Sequence, residues 1–456
     1  MVGIGGAGMS AIAEILLDRG LEVSGSDAAP SATLDRLRGA GARVHVGHAA
    51  RQVGAADLLV VSSAVPADNP ELEEAARRAI PVVGRGALLA ELAASRRTVA
   101  VAGSHGKTTT TSMIALALED AGGDPTAVIG GRVRALGGNA RVGRGPWMVV
   151  EADESDRSFL HLAPEIAVLT SIDDEHLDAY GGMAELEAAF AAFAARVPAA
   201  GCVVICADDA RLGRLLRAAP APAPLLAYGI DEPSAAVRAL EVTLGAAGSR
   251  CRVAVRCGPA PAEVELALRV PGRHNLQNAL AALTVAARLG LSPARAAAAL
   301  ARFEGAERRF EHHGEAGGVR VVDDYGHHPT EVAAAIETAR LGAPGRVIVV
   351  FQPHRYTRTL RLRERFGPAL ALADAVILTE VYAAGEPPVA GATSGAIAAA
   401  VRAVSAVPVH CVETLDAAAV AAAGTARRGD VVLTLGAGTV GTIAPRILRS
   451  LEERAS

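Results

Sequence analysis

Short apolar runs alternate with amphipathic stretches along almost the whole chain. After an opening glycine loop set between a clipped strand and a helix, apolar positions spaced for one helical face predict a helix from about Met9 to Arg19, and a strand follows at Leu21 to Ser24. Asp57 to Ser62 reads as a buried strand and Glu71 to Arg78 as a helix. Around Glu91 to Arg97 the chain turns polar, then enters Thr98-Val99-Ala100-Val101-Ala102, a strand feeding a second glycine loop and a helix that begins near Thr110. Trp147 to Val150 and Ile166 to Thr170 are further strands, Ala219 to Pro224 is a Pro/Ala loop, and Asn275 to Leu289 is a helix. From Val319 the alternation restarts, with strands at Val319 to Val322, Arg346 to Phe351, Ala375 to Thr379, Val407 to Val412 and Asp430 to Leu435 and helical segments between most of them. Such βα alternation implies mostly parallel sheets. Breaks near residue 97 and within Phe303 to Gly314 divide the chain into three α/β domains, 1–97, 98–306 and 307–456.

Composition narrows the class. A chain of 456 residues, 51% hydrophobic, has length for about three domains with their own cores, which excludes a small disulfide scaffold. A net charge of -4 with no block of like charges gives neither a nucleic-acid footprint nor a polybasic membrane surface, so small molecules are the expected partners. Cys202, Cys206, Cys251, Cys257 and Cys411 form no C-x-x-C pair and read as reduced thiols. Met1-Val2-Gly3-Ile4-Gly5 lacks the basic and apolar regions of a signal peptide, and every longer apolar stretch is broken before it spans a bilayer; a cytoplasmic protein without membrane insertion is expected. Alanine runs such as Ala188 to Ala195 and Ala296 to Ala299 are expected on helix surfaces.

Several loops carry candidate chemistry. Gly3-Ile4-Gly5-Gly6-Ala7-Gly8 fits G-x-G-x-x-G, with Asp27 at the end of the next strand; backbone amides there suit a diphosphate, and an acidic residue suits a ribose hydroxyl. Alone it suggests an NAD-dependent dehydrogenase, but Gly436-Ala437-Gly438-Thr439-Val440-Gly441 matches the same pattern, and either can be only a tight turn. Gly103-Ser104-His105-Gly106-Lys107-Thr108-Thr109 is shorter than the general phosphate loop yet supplies amides, an ammonium and a hydroxyl for a nucleoside triphosphate with magnesium. Glu151 to Asp156 gathers carboxylates at a strand end where a further magnesium would be held, and His176, within Asp173 to Asp178, is placed to complete that site. Asp323 to Thr330 and Gln352 to Arg358 both follow strands; their Tyr, His and Arg residues suit an anionic substrate such as an amino-acid carboxylate.

These motifs in this order, with Gly25-Ser26-Asp27, Ser158-Phe159-Leu160, Gly272-Arg273-His274-Asn275-Leu276-Gln277-Asn278-Ala279 and Arg308-Arg309-Phe310, resemble the Mur ligase family over nearly the whole chain, and within it the branch that adds L-alanine. The resemblance implies three domains: an N-terminal Rossmann-like domain for a UDP-sugar, a central P-loop-type ATPase with a mostly parallel sheet, and a C-terminal Rossmann-like domain that brings the amino acid. It implies that Gly5, Ala7, Gly8 and Asp27 bind the UDP-sugar. The loop Gly103, Ser104, His105, Gly106, Lys107, Thr108 and Thr109 would hold ATP, with Asn275 and Asn278 facing the adenine and Arg309 near the nucleotide. Thr108, Glu151 and His176 would bind Mg2+, Lys107, Glu151 and His176 would be catalytic, and Tyr325, His327, Arg355 and Arg358 would shape the alanine side. The implied reaction phosphorylates the lactyl carboxylate of UDP-N-acetylmuramate with ATP, and the L-alanine amine then attacks the acyl phosphate. The alternative within the family is a recycling ligase that adds a tripeptide. A monomer or weak homodimer is expected. Ser104, Ser171 and Thr439 stand where the family usually has Thr, Asn, and Asp or Asn.

Overall fold

In the computed structural model the first sheet is built around one residue. Val2 bridges Ser26 on one side and Val61 on the other. It thereby links two parallel pairs, Ser24–Asp27 with Arg43–Val46 and Leu59–Val61 with Val82–Gly84. The opening strand is a single bridging residue, from which the glycine loop leads into a helix, Ala7–Asp18, with Met9, Ile12 and Ile15 buried. The strand expected at Leu21 to Ser24 is corrected to Ser24–Asp27: Gly20 turns the chain out of the helix with φ +80°, Leu21 is 54% exposed, and pairing with Arg43 begins only at Ser24.

The structure describes residues 1–455, which pack as two units. One comprises 1–241, 251–267 and 277–304, the other 242–250, 268–276 and the residues from 305 onward. A ten-stranded sheet has the order 262–268, 248–255, 237–245, 225–229, 202–206, 166–169, 97–102, 147–151, 126–133, 138–141. At its middle Arg97–Ala102 runs parallel between Trp147–Glu151 and Ile166–Leu169. Val99 to Ala102, Trp147 to Val150 and Ile166 to Leu169 are all buried, as a strand covered on both faces requires.

The following helix spans Lys107–Asp120 and so starts three residues before the expected Thr110. Its polar run Lys107 to Ser112 hides the helical start, because the hydroxyls bond back into the helix: Thr111 Oγ1 donates to Lys107 O (2.8 Å) and Ser112 Oγ to Thr108 O (2.6 Å). The alanine expectation holds for Ala188, Ala192, Ala195 and Ala298, which are exposed, and is corrected for Ala189, Ala194, Ala296, Ala297 and Ala299, which are buried. Pro293–Leu300 packs on Lys107–Asp120 through its small side chains, so alanine there permits close approach of two helices.

In the second unit six strands have the order Glu311–Ala316, Val319–Asp324, Val431–Leu435, Val347–Phe351, Ala375–Leu378, Val409–Cys411; the first pair is antiparallel and the others are parallel. Val349 and Phe351 face the helices Pro329–Arg340, Tyr356–Leu370 and Ser394–Val404, while Ile348 and Val350 face Leu415–Thr425 and Ala444–Ala455, the period-two alternation of a sheet covered on both sides. The carboxyl ends of four of these strands carry the polar loops, where ligands bind in open α/β sheets. Among the described residues no helix is long and apolar enough to cross a membrane.

Candidate active site

The phosphate loop is pinned from beneath by the end of the neighbouring strand. Gly103 has φ +139°, and a Cβ there would stand 2.0 Å from Thr170 Oγ1, so only glycine fits. Thr170 Oγ1 donates to His105 O (2.5 Å), His105 N to Ser171 Oγ (3.1 Å) and Asp173 N to Ser104 Oγ (2.8 Å). Ser171 therefore does by its short hydroxyl what supports the loop here, and Ser104 uses its hydroxyl as an anchor. Lys107 Nζ folds back on Gly103 O (2.7 Å) and reaches Glu154 Oε1 (2.8 Å). Burial works against the lysine charge, but the carboxylates of Glu154, Asp153 and Glu175 outweigh it and hold the ammonium above the usual lysine range.

Glu151 is gripped from two sides: Thr108 Oγ1 donates to Oε1 (3.1 Å) and Gly130 N to Oε2 (2.7 Å). His176, with φ +55°, places Nε2 3.9 Å from Glu154 Oε1 and 3.8 Å from Glu175 Oε1. His176 thus lies beside Glu154 and Glu175, while Glu151 is held by Thr108 and Gly130. Glu154 is 1% exposed; burial pushes its carboxyl up to about 7 against the pull of Lys107, and its Oε2 has no hydrogen-bond partner. Glu154 was not singled out from sequence, where it is one carboxylate among several. Thr109 is buried in the first turn of the helix.

The first glycine loop faces the same region. A cleft of about 290 Å³ is lined by Gly6, Ala7 and Gly8 on one wall and by Gly130, Glu151 and Asp153 on the other. Arg85 also lines it and pairs with Asp153 (3.4 Å) and Asp156 (3.1 Å). Asp27 Oδ2 accepts from Gly5 N at 2.8 Å, so this acid stiffens the loop itself. Beside it lies a buried cluster that the motifs do not announce: Ser26 Oγ donates to Glu71 Oε1 (2.6 Å), and His48 Nδ1 lies 2.9 Å from the same oxygen.

The two asparagines assigned to the adenine lie about one turn apart on the helix Arg273–Arg288 and bond to different partners. Asn278 sits at the phosphate loop, its Oδ1 accepting from Thr110 Oγ1 (3.1 Å) and lying 2.6 Å from where a Cβ of Gly106 would be. Asn275 Nδ2 donates to Pro271 O (2.7 Å). Next to it His274 is pushed down to about 4 by burial and by Arg309, and is neutral near pH 7.

In the second unit Arg309 and Arg308 stack on the Tyr325 ring, 5.2 and 5.1 Å from its centroid. Arg309, assigned to the nucleotide, thus shares a cluster with Tyr325, assigned to the amino acid. Tyr325 meets His327 edge to face at 5.6 Å, His327 meets His354 at 5.6 Å, and His354 stacks on Tyr382 at 5.5 Å. His327 Nδ1 donates to Tyr325 O (3.1 Å), and buried Arg358 donates to His354 Nδ1 (3.0 Å). Arg355, with φ +66°, points its Nε to Glu386 Oε1 at 3.7 Å. The second glycine motif is a packing turn: Val440 N donates to Gln352 Oε1 (3.0 Å), Arg308 binds Gly436 O (2.6 Å) and Gly438 O (3.0 Å), and a Cβ on Gly438 would collide with Tyr382. Thr439 Oγ1 accepts from Gln352 Nε2 at 3.3 Å, which is its contribution to that turn.

Comparison with known proteins matches residues 1–97 to the Mur ligase family catalytic domain, 101–286 to the Mur ligase middle domain, and 308–438 to the Mur ligase glutamate ligase domain. The chain belongs to the Mur ligase family and has its three-domain α/β fold. It is 46% identical over 461 residues to the UDP-N-acetylmuramate--L-alanine ligase of Burkholderia ambifaria, covering 100% of this chain and 98% of the relative. It is also 46% identical to the enzyme of that name from Pelotomaculum thermopropionicum, over 99% of this chain and 97% of the relative. The crystal structure of UDP-N-acetylmuramate-alanine ligase from Thermotoga maritima superposes with a TM-score of 0.83 at 29% identity, over 99% of this chain and 98% of that one. A murein peptide ligase from Psychrobacter arcticus gives 0.73 at 25% identity, again over 99% and 98%.

Proposed function

We propose that this chain is the ATP-dependent ligase that joins L-alanine to the lactyl carboxylate of UDP-N-acetylmuramate, a step of peptidoglycan precursor synthesis in the cytoplasm that serves cell shape and division. The observation that carries this reading is the cleft with the first glycine loop on one wall and Glu151 and Asp153 on the other. A UDP-sugar seated by its diphosphate on the amides of Ala7 and Gly8, in a loop whose Gly5 N is held by Asp27, extends from there toward Lys107. Residues 1–97 form the UDP-sugar domain in this reading, 98–306 the ATP domain and 307–456 the amino-acid domain.

Phosphoryl transfer asks for positioning and charge neutralisation more than for a covalent nucleophile. The loop Gly103 to Thr109 cradles the triphosphate while Ser171 holds the amides of Ser104 and His105, and Lys107 exchanges Glu154 and the Gly103 carbonyl for phosphate oxygens. The donors fit Mg2+: the Thr108 hydroxyl and the Glu151 carboxylate are hard oxygen ligands, and Glu154 Oε2 is a buried acceptor without a partner. Thr108, Glu151 and His176 would hold it, and bound there it neutralises charge on the phosphate oxygens. The γ-phosphoryl group passes to the lactyl carboxylate, giving an acyl phosphate and ADP. The L-alanine amine attacks the acyl carbon, and phosphate leaves from the tetrahedral adduct. Arg355 and Arg358 hold the alanine carboxylate, while Tyr325 and His327 shape the space beside it. Asn275, Asn278 and Arg309 serve the nucleotide.

The test is phosphate release from purified protein with UDP-N-acetylmuramate, ATP and magnesium, comparing L-alanine, glycine, L-serine, a tripeptide and no acceptor. The reading expects the largest rate with L-alanine. A tripeptide preference would move the chain to the recycling branch, and silence with every acceptor would remove the ligase reading.

A further inference from the structure

The hairpin of Thr126–Val133 and Gly138–Arg141 touches both halves of the first unit's site. On one strand Gly130 N donates to Glu151 Oε2 at 2.7 Å, and a Cβ on Gly130 would stand 2.4 Å from Glu151 Oε1, so this backbone lies directly against the carboxylate. On the other strand Asn139, 2% exposed, donates from Nδ2 to Ala7 O (2.5 Å) and to Ser10 Oγ (3.0 Å). Its Oδ1 accepts from Arg36 Nη2 (2.9 Å), and Arg36 Nε pairs with Glu14 Oε1 (3.0 Å) on the glycine-loop helix. That helix packs along both strands of the hairpin. Val128 pairs with Ala140 across the hairpin and with Val150 on its other side, so Gly130 and Asn139 lie within two residues of one backbone register that runs through to Glu151. The hairpin register shifts between Val128 and Val133, the stretch in which Gly130 N turns from the ladder to Glu151.

We propose that this hairpin is the spacer that sets the separation between the diphosphate loop and Glu151, and that Asn139 is the positioning residue that locks the glycine-loop helix to it. The inference rests on the ligase reading above. One substrate is seated at Ala7 and Gly8 and the other at Lys107 and Thr108, and a displacement of about 1 Å between reacting groups costs on the order of 10²-fold in rate. Asn139 touches neither substrate in this scheme. It acts by keeping Ala7 O, Ser10 Oγ and Arg36 in one arrangement, and its removal leaves buried polar groups unpaired.

The experiment uses the full chain and the substitutions Asn139→Ala and Ser10→Ala. Amide hydrogen exchange without ligands is followed over 7–18 and 126–141, an ATP analogue and UDP-N-acetylmuramate are titrated separately, and turnover is measured at saturation. Asn139→Ala is expected to speed exchange over 7–18, to leave the ATP-analogue Kd within about threefold, and to lower kcat at least about tenfold. Ser10→Ala moves exchange and kcat in the same direction by less. Turnover within about twofold of wild type, or a kcat loss matched by an equal loss of nucleotide affinity, overturns the proposal. Should Asn139→Ala not fold, Ser10→Ala decides by the same criteria. Wild-type protein that releases no phosphate would sink the ligase reading, whereas unchanged exchange in the variants would sink the tether whatever the wild type catalyses.

Discussion

At Lys107 two demands meet: the side chain is enclosed, yet its charge is kept by three carboxylates, with Glu154 at 2.8 Å. An ammonium so held stays protonated throughout the working range, and in the ligase reading it meets phosphate without a proton transfer. Lys107→Ala is expected to cut turnover by at least about 10²-fold and, by leaving Glu154 buried without its partner, to lower the thermal midpoint while the protein still folds; unchanged turnover would displace the phosphate site from this loop. Asp324 shows the opposite balance. Burial raises its carboxyl from 3.8 to about 6, against Arg309 and the amides of Gly326 and Phe310. Between those values the folded chain holds a proton that the unfolded chain has released, so stability falls as pH rises through about 4 to 6 and levels above it. Denaturant unfolding at a series of pH values should show this fall, and Asp324→Asn should flatten it. Equal slopes in the two proteins would mean that Asp324 titrates normally.

The helix Tyr356–Leu370 begins without a cap from its own Arg355. Glu386, thirty residues on in the chain, supplies one: Thr357 N donates to its Oε2 (3.0 Å) and Thr357 Oγ1 to its Oε1 (2.7 Å). The same carboxylate faces Arg355 Nε, so a distant loop both ends the helix and aims a guanidinium. Glu386→Gln is expected to raise KM for L-alanine roughly tenfold with kcat and the ATP KM little changed, read from initial rates at varied substrate. A uniform loss in all three parameters would make Glu386 a stability residue only. Elements of this kind divide by legibility. The parallel strands were readable because strands covered on both faces must be continuously apolar, and Val347–Phe351 or Ile166–Leu169 announce themselves. Glu311–Ala316 is an edge strand written Glu-His-His-Gly-Glu-Ala and held by its partner more than by burial, and Thr126–Val133 has its buried run Thr126 to Ile129 cut short by Gly130 and Gly131, so neither shows a strand-length apolar pattern. Likewise Gly-Lys-Thr at 106–108 marked its own loop, whereas Glu154, Arg85, Gln352 and Arg308 matter through residues far along the chain.

Over the whole molecule the ligase reading makes one ordered prediction: phosphate release should decline from L-alanine to glycine or L-serine and be smallest with a tripeptide. A small acceptor side chain is consistent with a cluster in which Tyr325, His327, His354 and Tyr382 lie ring against ring. A tripeptide rate above that of L-alanine would show that this packing opens. The order of motifs along the chain was enough to establish a three-domain α/β fold and the family, because glycine loops after strands and βα alternation are local properties of backbone geometry and burial. Local pattern had no means of saying that Asp27 would bind Gly5 N, that Gln352 would occupy the Val440 amide of the second glycine turn, or that Asn139 would hold Ala7 and Ser10 across more than a hundred residues. Those pairings depend on which side chains the sheets bring within hydrogen-bond distance, and that distance exists only once strands far apart in the chain lie side by side.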